Sequence, residues 1–131
     1  MLLAFSVAPS GIPADPAFAA AGTGDASVHD AVAAAVKIVR ESGLPNKTDS
    51  MFTTIEGEWD EVFDVVKRAT EAVGKFGSRV SLVIKADIRP GYSGELTAKV
   101  ERLEGALDAA PDSAPDGAAK GVADRRQLTG A

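Results

Sequence analysis

The chain has 131 residues, 45% of them apolar, and a formal net charge of −5, which is enough to bury one modest core and to form one domain. The acidic balance excludes nucleic acid as a partner, because phosphates require clustered Lys and Arg. With no Cys and a single His, disulfides, a thiol nucleophile, Cys-ligated zinc and a His-cluster metal site are excluded as well.

The apolar start, Met1-Leu2-Leu3-Ala4-Phe5, does not read as a targeting segment. No positive residue precedes it, and Pro9, Pro13, Asp15 and Pro16 break the chain before an apolar run of sufficient length can form. No stretch approaches the length of a membrane span, so the expectation is a cytoplasmic protein. From Leu2 to Ala8 the residues alternate, with Leu3, Phe5 and Val7 on one face and Leu2, Ala4, Ser6 and Ala8 on the other, which predicts a first strand. Residues 10–26 are rich in Pro, Ala and Gly, have no period, and read as a long loop insertion.

Ser27-Val28-His29-Asp30 has capping-box spacing, with Asp in place of Glu. Behind it Val28, Val32, Ala35, Val36 and Val39 recur at helical spacing until Gly43 and Pro45. Residues 46–48 and 53–58 predict a hairpin that turns at Asp49-Ser50-Met51-Phe52. A second helix carries Trp59, Val62, Phe63, Val66, Ala69, Thr70 and Val73 in one stripe, with Asp60 and Glu61 at its positive amino end and Gly77 as its stop. On that stripe Trp59 reads as a core residue beside Phe63 rather than as a surface for stacking. Residues 79–87 alternate again, with Val80, Leu82, Ile84 and Ala86 on one face. After Arg89-Pro90-Gly91 a third helix begins near Ser93 and carries Leu96, Val100, Leu103 and Leu107. From Asp108 the composition turns to Ala, Asp, Pro and Gly, which predicts a disordered tail over residues 108–131.

The order β-α-β-β-α-β followed by a helix predicts an α+β fold over residues 1–107. It is a ferredoxin-like sandwich, a four-stranded antiparallel sheet with two helices on one face, plus an additional C-terminal helix. The first strand then lies between the third and fourth. Leu3, Phe5, Val7, Thr53 and Ile55 face the helices, while Ser6, Thr54, Glu56, Lys85 and Asp87 face the other way. Glu56 and Lys85 fall two strand spacings apart, roughly 10 Å, and flank a place for a ligand.

The run Thr53-Thr54-Ile55-Glu56-Gly57-Glu58-Trp59-Asp60-Glu61-Val62-Phe63 resembles a segment of the YkoF-like thiamine-binding family. So do the opening strand ending at Pro9, Ser42-Gly43-Leu44, Gly77-Ser78-Arg79-Val80, and Ile84-Lys85-Ala86-Asp87-Ile88-Arg89 before the last helix. The similarity spans about residues 2–105. Two features depart from the family pattern: the loop over 10–26 is longer, and Ser50-Met51-Phe52 stands where a Pro-Met-Gly turn is usual. The resemblance implies a ferredoxin-like protomer, a homo-oligomer such as a dimer of dimers, and binding of thiamine or its hydroxymethylpyrimidine part without catalysis.

Glu56 is the leading candidate site residue. A carboxylate can bridge the ring nitrogen and exocyclic amine of an aminopyrimidine, and a thiazolium is a cation; the competing role is a carboxylate paired across an oligomer interface. Thr54 and Ser6 offer hydroxyls on the same face, and Asp49 and Met51 come from the turn. No catalytic residue, metal ligand or cofactor is assigned, since one His supports no nucleophilic triad and no Gly-rich phosphate loop follows a strand. The expected partners are a small-molecule ligand and further copies of the chain, with neither nucleic acid nor membrane. The competing reading is a structural homo-oligomer or a regulatory protein that binds another small ligand.

Overall fold

In a computed structural model, which describes residues 1–19 and 28–110, the sheet is built from β1 (Leu2–Ser10), β2 (Asn46–Thr48), β3 (Thr53–Glu56) and β4 (Arg79–Asp87). Their order is β2-β3-β1-β4, and every neighbouring pair is antiparallel. The helices are α1 (His29–Glu41), α2 (Trp59–Gly74) and α3 (Glu95–Ala109). This is the predicted α+β, ferredoxin-like arrangement with an additional C-terminal helix, and β1 lies between β3 and β4.

The period of two in β1 and β3 sends Leu3, Phe5, Val7 and Ile55 toward the helices, where α2 meets them with Val62, Val65, Val66, Ala69 and Val73. Val65 belongs to this stripe although the predicted one omits it. α1 presents Ala31, Ala35 and Val39 to the core, and leaves Val28 and Val32 more than a third exposed. Ala35 and Val39 of the predicted stripe are buried as expected, whereas its amino-terminal part is rotated: the small Ala31 lets α1 approach closely, and Val28 and Val32 turn outward. Val28 occupies the capping position without a side-chain hydrogen bond; the predicted cap, Ser27, lies outside the described residues.

Two junctions near the site also differ from expectation. β3 ends at Glu56 rather than at residue 58: Gly57 still exchanges hydrogen bonds with Met1, its N–H reaching Met1 O at 3.1 Å and its O accepting from Met1 N at 2.8 Å, but Glu58 already caps α2. A side chain at Gly57 would press on Val62 Cγ1 at 3.2 Å, so the position favours a residue without one. As the cap of α2, Glu58 donates its N–H to Glu61 Oε1 at 3.2 Å. Trp59 is a correction: it is 52% exposed and stacks on Phe63, with ring centroids 5.1 Å apart and planes 10° apart. As the first residue of α2 it lies ahead of the turn that faces the sheet, and Val62 and Val66 fill the core behind it.

Part of the predicted loop is also structured. Pro16–Phe18 form a 3-10 turn, Asp15 Oδ1 accepts the Ala17 N–H at 2.9 Å, and Phe18 meets Phe76 edge-on at 5.2 Å. The predicted tail begins inside the last turn of α3, and its remainder, 111–131, lies outside the described residues.

The second face of the sheet is not covered by α1 and α2. Leu2, Ala4, Ser6 and Thr54 on it are half-buried, and Val83 is exposed. β4 is an edge strand, and even its helix-side Leu82 and Ile84 remain partly exposed. α3 buries no residue, and Val100, Leu103 and Leu107 along it are all more than half exposed.

Candidate functional site

One end of the open sheet face carries two acids. Leu2 of β1 pairs with Glu56 of β3 on one side and with Asp87 of β4 on the other, so the two carboxylates stand two strand spacings apart, roughly 10 Å. Lys85 sits two pairs further along the sheet, since its partner is Ala4. The residue that faces Glu56 across β1 is therefore Asp87, not the expected Lys85.

Both acids hold the amino-terminal half of α3. Glu56 Oε1 accepts the Gly94 N–H at 2.6 Å, and Oε2 accepts the Leu96 N–H at 2.8 Å. These are backbone donors that the first turn of a helix leaves without intrahelical partners, and the helix dipole adds to their attraction for a negative charge. Glu56 is only 9% exposed, and a carboxylate so withdrawn from water requires such donors. Asp87 takes the ammonium of Lys99, and Glu95 pairs with Arg102 within α3. The Lys99 hydrogen bond and charge, with a smaller contribution from Arg89, hold the Asp87 carboxyl below its ordinary range. The Arg102 hydrogen bond does the same to Glu95, and Glu95 in turn raises Arg102.

The link from β4 to α3 is a tight turn. Tyr92 N–H donates to Arg89 O at 3.2 Å across Pro90 and Gly91, and Gly91 has φ of 80°. Pro followed by a residue with positive φ is the sequence of a type II turn. Because Arg89 and Tyr92 are its first and last residues, their side chains meet, and the guanidinium lies 3.5 Å from the Tyr92 ring centroid. The turn, the sheet end and α3 enclose a polar cavity of about 260 Å³, whose walls include Leu2, Glu56, Asp87, Arg89, Tyr92 and Lys99.

The cavity combines an aromatic ring, a buried carboxylate and charged groups of both signs. Each Glu56 oxygen carries a second lone pair beyond the one used by α3, so the carboxylate can still accept from a ligand. Such a site suits a small polar heteroaromatic compound. Among the described residues no group of three or more His, Cys, Asp and Glu side chains is placed to hold a metal ion.

The sequence-derived candidates divide between two places. Thr54 and Ser6 share the open face with Glu56 but lie toward the middle of the sheet, Thr54 beside Ala4 and Ser6 beside Val83, outside the cavity. Asp49 and Met51 sit at the other end of β3, in the hairpin turn. There Asp49 Oδ1 accepts the N–H groups of Met51 at 2.8 Å and Phe52 at 2.9 Å, which lowers the Asp49 pKa, and Met51 is 71% exposed. The cavity instead joins Glu56 to Asp87, Arg89, Tyr92 and Lys99, of which alternation in the sequence assigns only Asp87 to the same face. The Arg-Pro-Gly-Tyr turn is the available signal for Arg89 and Tyr92.

A model of a family described as thiamine-binding protein matches residues 14–104. The UPF0045 protein Mb1933 of Mycobacterium bovis is 49% identical over 105 residues, covering 79% of this chain and 91% of its own length. The Synechocystis UPF0045 protein sll0230 is 36% identical over 83 residues, covering 63% and 69% respectively. Among solved structures, a domain of unknown function from Bacillus cereus superposes with a TM-score of 0.61 at 33% identity, covering 77% of this chain and 86% of that one. A Thermotoga maritima protein described as a putative thiamine biosynthesis/salvage protein gives a TM-score of 0.57 at 22% identity, covering 77% and 97%, and bears on the fold alone.

Proposed function

The chain belongs to the thiamine-binding protein family, and we propose that it binds thiamine or its hydroxymethylpyrimidine part without catalysis, in thiamine salvage, transport or regulation. The observation that carries this reading is the family match across residues 14–104, a span that contains Glu56 and most of the cavity walls. The chemistry of the cavity agrees with it. Glu56 can accept from the aminopyrimidine while the thiazolium cation meets an aromatic ring and a carboxylate-bearing wall.

The working unit in this reading is a cytoplasmic homo-oligomer, a dimer of dimers. Its support is the apolar surface left uncovered: Val83 on the open sheet face, and Val100, Leu103 and Leu107 on α3, which no described element of a single copy covers. No described helix is long and apolar enough to cross a membrane. The same surfaces favour the second reading, an oligomeric structural or regulatory protein that binds another small ligand.

Thermal-shift screening against thiamine, its phosphates and hydroxymethylpyrimidine separates the two. A ligand at 100 times its dissociation constant adds about 2.7 kcal/mol to stability, so thiamine or hydroxymethylpyrimidine should raise the melting temperature by several degrees. No shift with any of these compounds would leave the second reading standing.

A further inference from the structure

We propose that Tyr92 is the aromatic recognition residue of the Glu56 cavity and that Arg89 is a resident cation which a cationic heteroaromatic ligand displaces. The inference rests on the thiamine-type reading above and adds the means by which the site selects ligand charge. The Tyr92 ring lines the cavity and is half exposed, and its face holds the Arg89 guanidinium 3.5 Å from the centroid. The negative face of an aromatic ring attracts any flat cation, so a guanidinium and a heteroaromatic cation compete for one place.

The turn fixes the ring more firmly than the cation. Tyr92 closes a hydrogen-bonded turn preset by Pro90 and Gly91, whereas Arg89 ends in a long side chain with no salt bridge to any carboxylate among the described residues. Glu56, Asp87 and Glu95 are already engaged by α3 amides, Lys99 and Arg102. With Arg89 in place the cavity carries three acidic and three basic side chains, besides the Met1 ammonium that donates to Gly57 O. When the guanidinium swings into solvent the cavity loses one positive charge, and a ligand cation on Tyr92 replaces it. A neutral pyrimidine can use Glu56 but cannot replace the cation.

The test is calorimetric titration of thiamine, hydroxymethylpyrimidine and thiamine monophosphate into the wild type, Tyr92→Leu, Tyr92→Phe and Arg89→Gln, with circular dichroism to check folding. Wild type should bind thiamine. Tyr92→Leu should weaken thiamine about three- to thirtyfold, the range of a cation on an aromatic face, and Tyr92→Phe should retain most of the affinity. Arg89→Gln should strengthen thiamine severalfold while changing hydroxymethylpyrimidine little. Thiamine binding that is unchanged in Tyr92→Leu, or a loss of thiamine or of the monophosphate in Arg89→Gln, would overturn the exchange and leave the thiamine reading intact. A wild type that binds none of the three compounds would remove both.

Discussion

Glu56 Oε2 accepts the backbone N–H of Leu96 at 2.8 Å, across 40 residues of sequence. This contact, with its neighbour from Gly94, ties a helix that buries none of its own side chains to a strand of the sheet. α3 is thus held by its amino end, by a carboxylate that is also the leading candidate for ligand contact.

Replacing that carboxylate should loosen α3 before it loosens the core. Glu56→Ala leaves the Gly94 and Leu96 N–H groups without acceptors, at a cost of about 1.5–3 kcal/mol for bonds to a charged group. In hydrogen exchange the amide of Leu96 should lose most of its protection, while Val62 and Val66 in α2 keep theirs. Equal acceleration in both helices would mean that Glu56 supports the whole fold and not α3 in particular.

The same attachment should depend on pH in one direction. Asp87 and Glu95 both have pKa values lowered in the folded chain, so their contributions are fully present above their ordinary values and are lost as pH falls through the lowered ones. Loosening of α3 should therefore begin below about pH 4 and deepen with acid. The Asp87–Lys99 pair is solvent-exposed, so added salt should weaken it at neutral pH, and the Glu95–Arg102 pair, whose carboxylate is largely shielded, should weaken less. Exchange of α3 amides between pH 6 and pH 3 checks the sign; protection that rises on acidification would contradict it.

The core is largely legible in the chain because its signals are local. Strict alternation over residues 79–87 marks the bounds of β4, and Leu3, Phe5 and Ile55 face the helices as their period requires. The period misleads where packing distance decides the outcome. In α1 the expected Ala35 and Val39 are buried. Alanine at position 31 carries little hydrophobic signal, yet its small size lets the helix approach, so the Val28 and Val32 part of the stripe is rotated from the true one. Size and spacing point Trp59 inward, although its place at the first position of α2 puts it outside the helix-sheet interface. The site is legible only in part. Alternation puts Glu56 on the open face, but no local pattern shows that α3 returns to it, since that contact joins residues 38 and 40 apart.

Truncation inside the core should behave as the packing dictates. Leu3 is fully buried on the helix side of β1, and Leu3→Ala removes its side chain from a close-packed site beneath the helices. The expected cost is about 2–5 kcal/mol, read from denaturant unfolding with an unchanged slope. A loss below about 1 kcal/mol would show that the site collapses around the smaller residue.

The uncovered apolar stripe of α3 should belong to the assembly. Leu103 is 58% exposed, so Leu103→Glu should leave the monomer fold nearly untouched and lower the oligomer state seen by light scattering at micromolar concentration. A wild type that is already monomeric there would exclude the oligomer.

The most direct measurement is calorimetric titration of thiamine and hydroxymethylpyrimidine into the wild type and Glu56→Gln, with oligomer state followed in parallel. The substitution keeps the volume and replaces an ionised acceptor by a neutral amide. Binding of both compounds should weaken by about 1.5–3 kcal/mol, roughly ten- to a hundredfold, with assembly intact. Equal affinities for the two proteins, or no binding to the wild type, would contradict the assignment of Glu56 to a thiamine-type ligand.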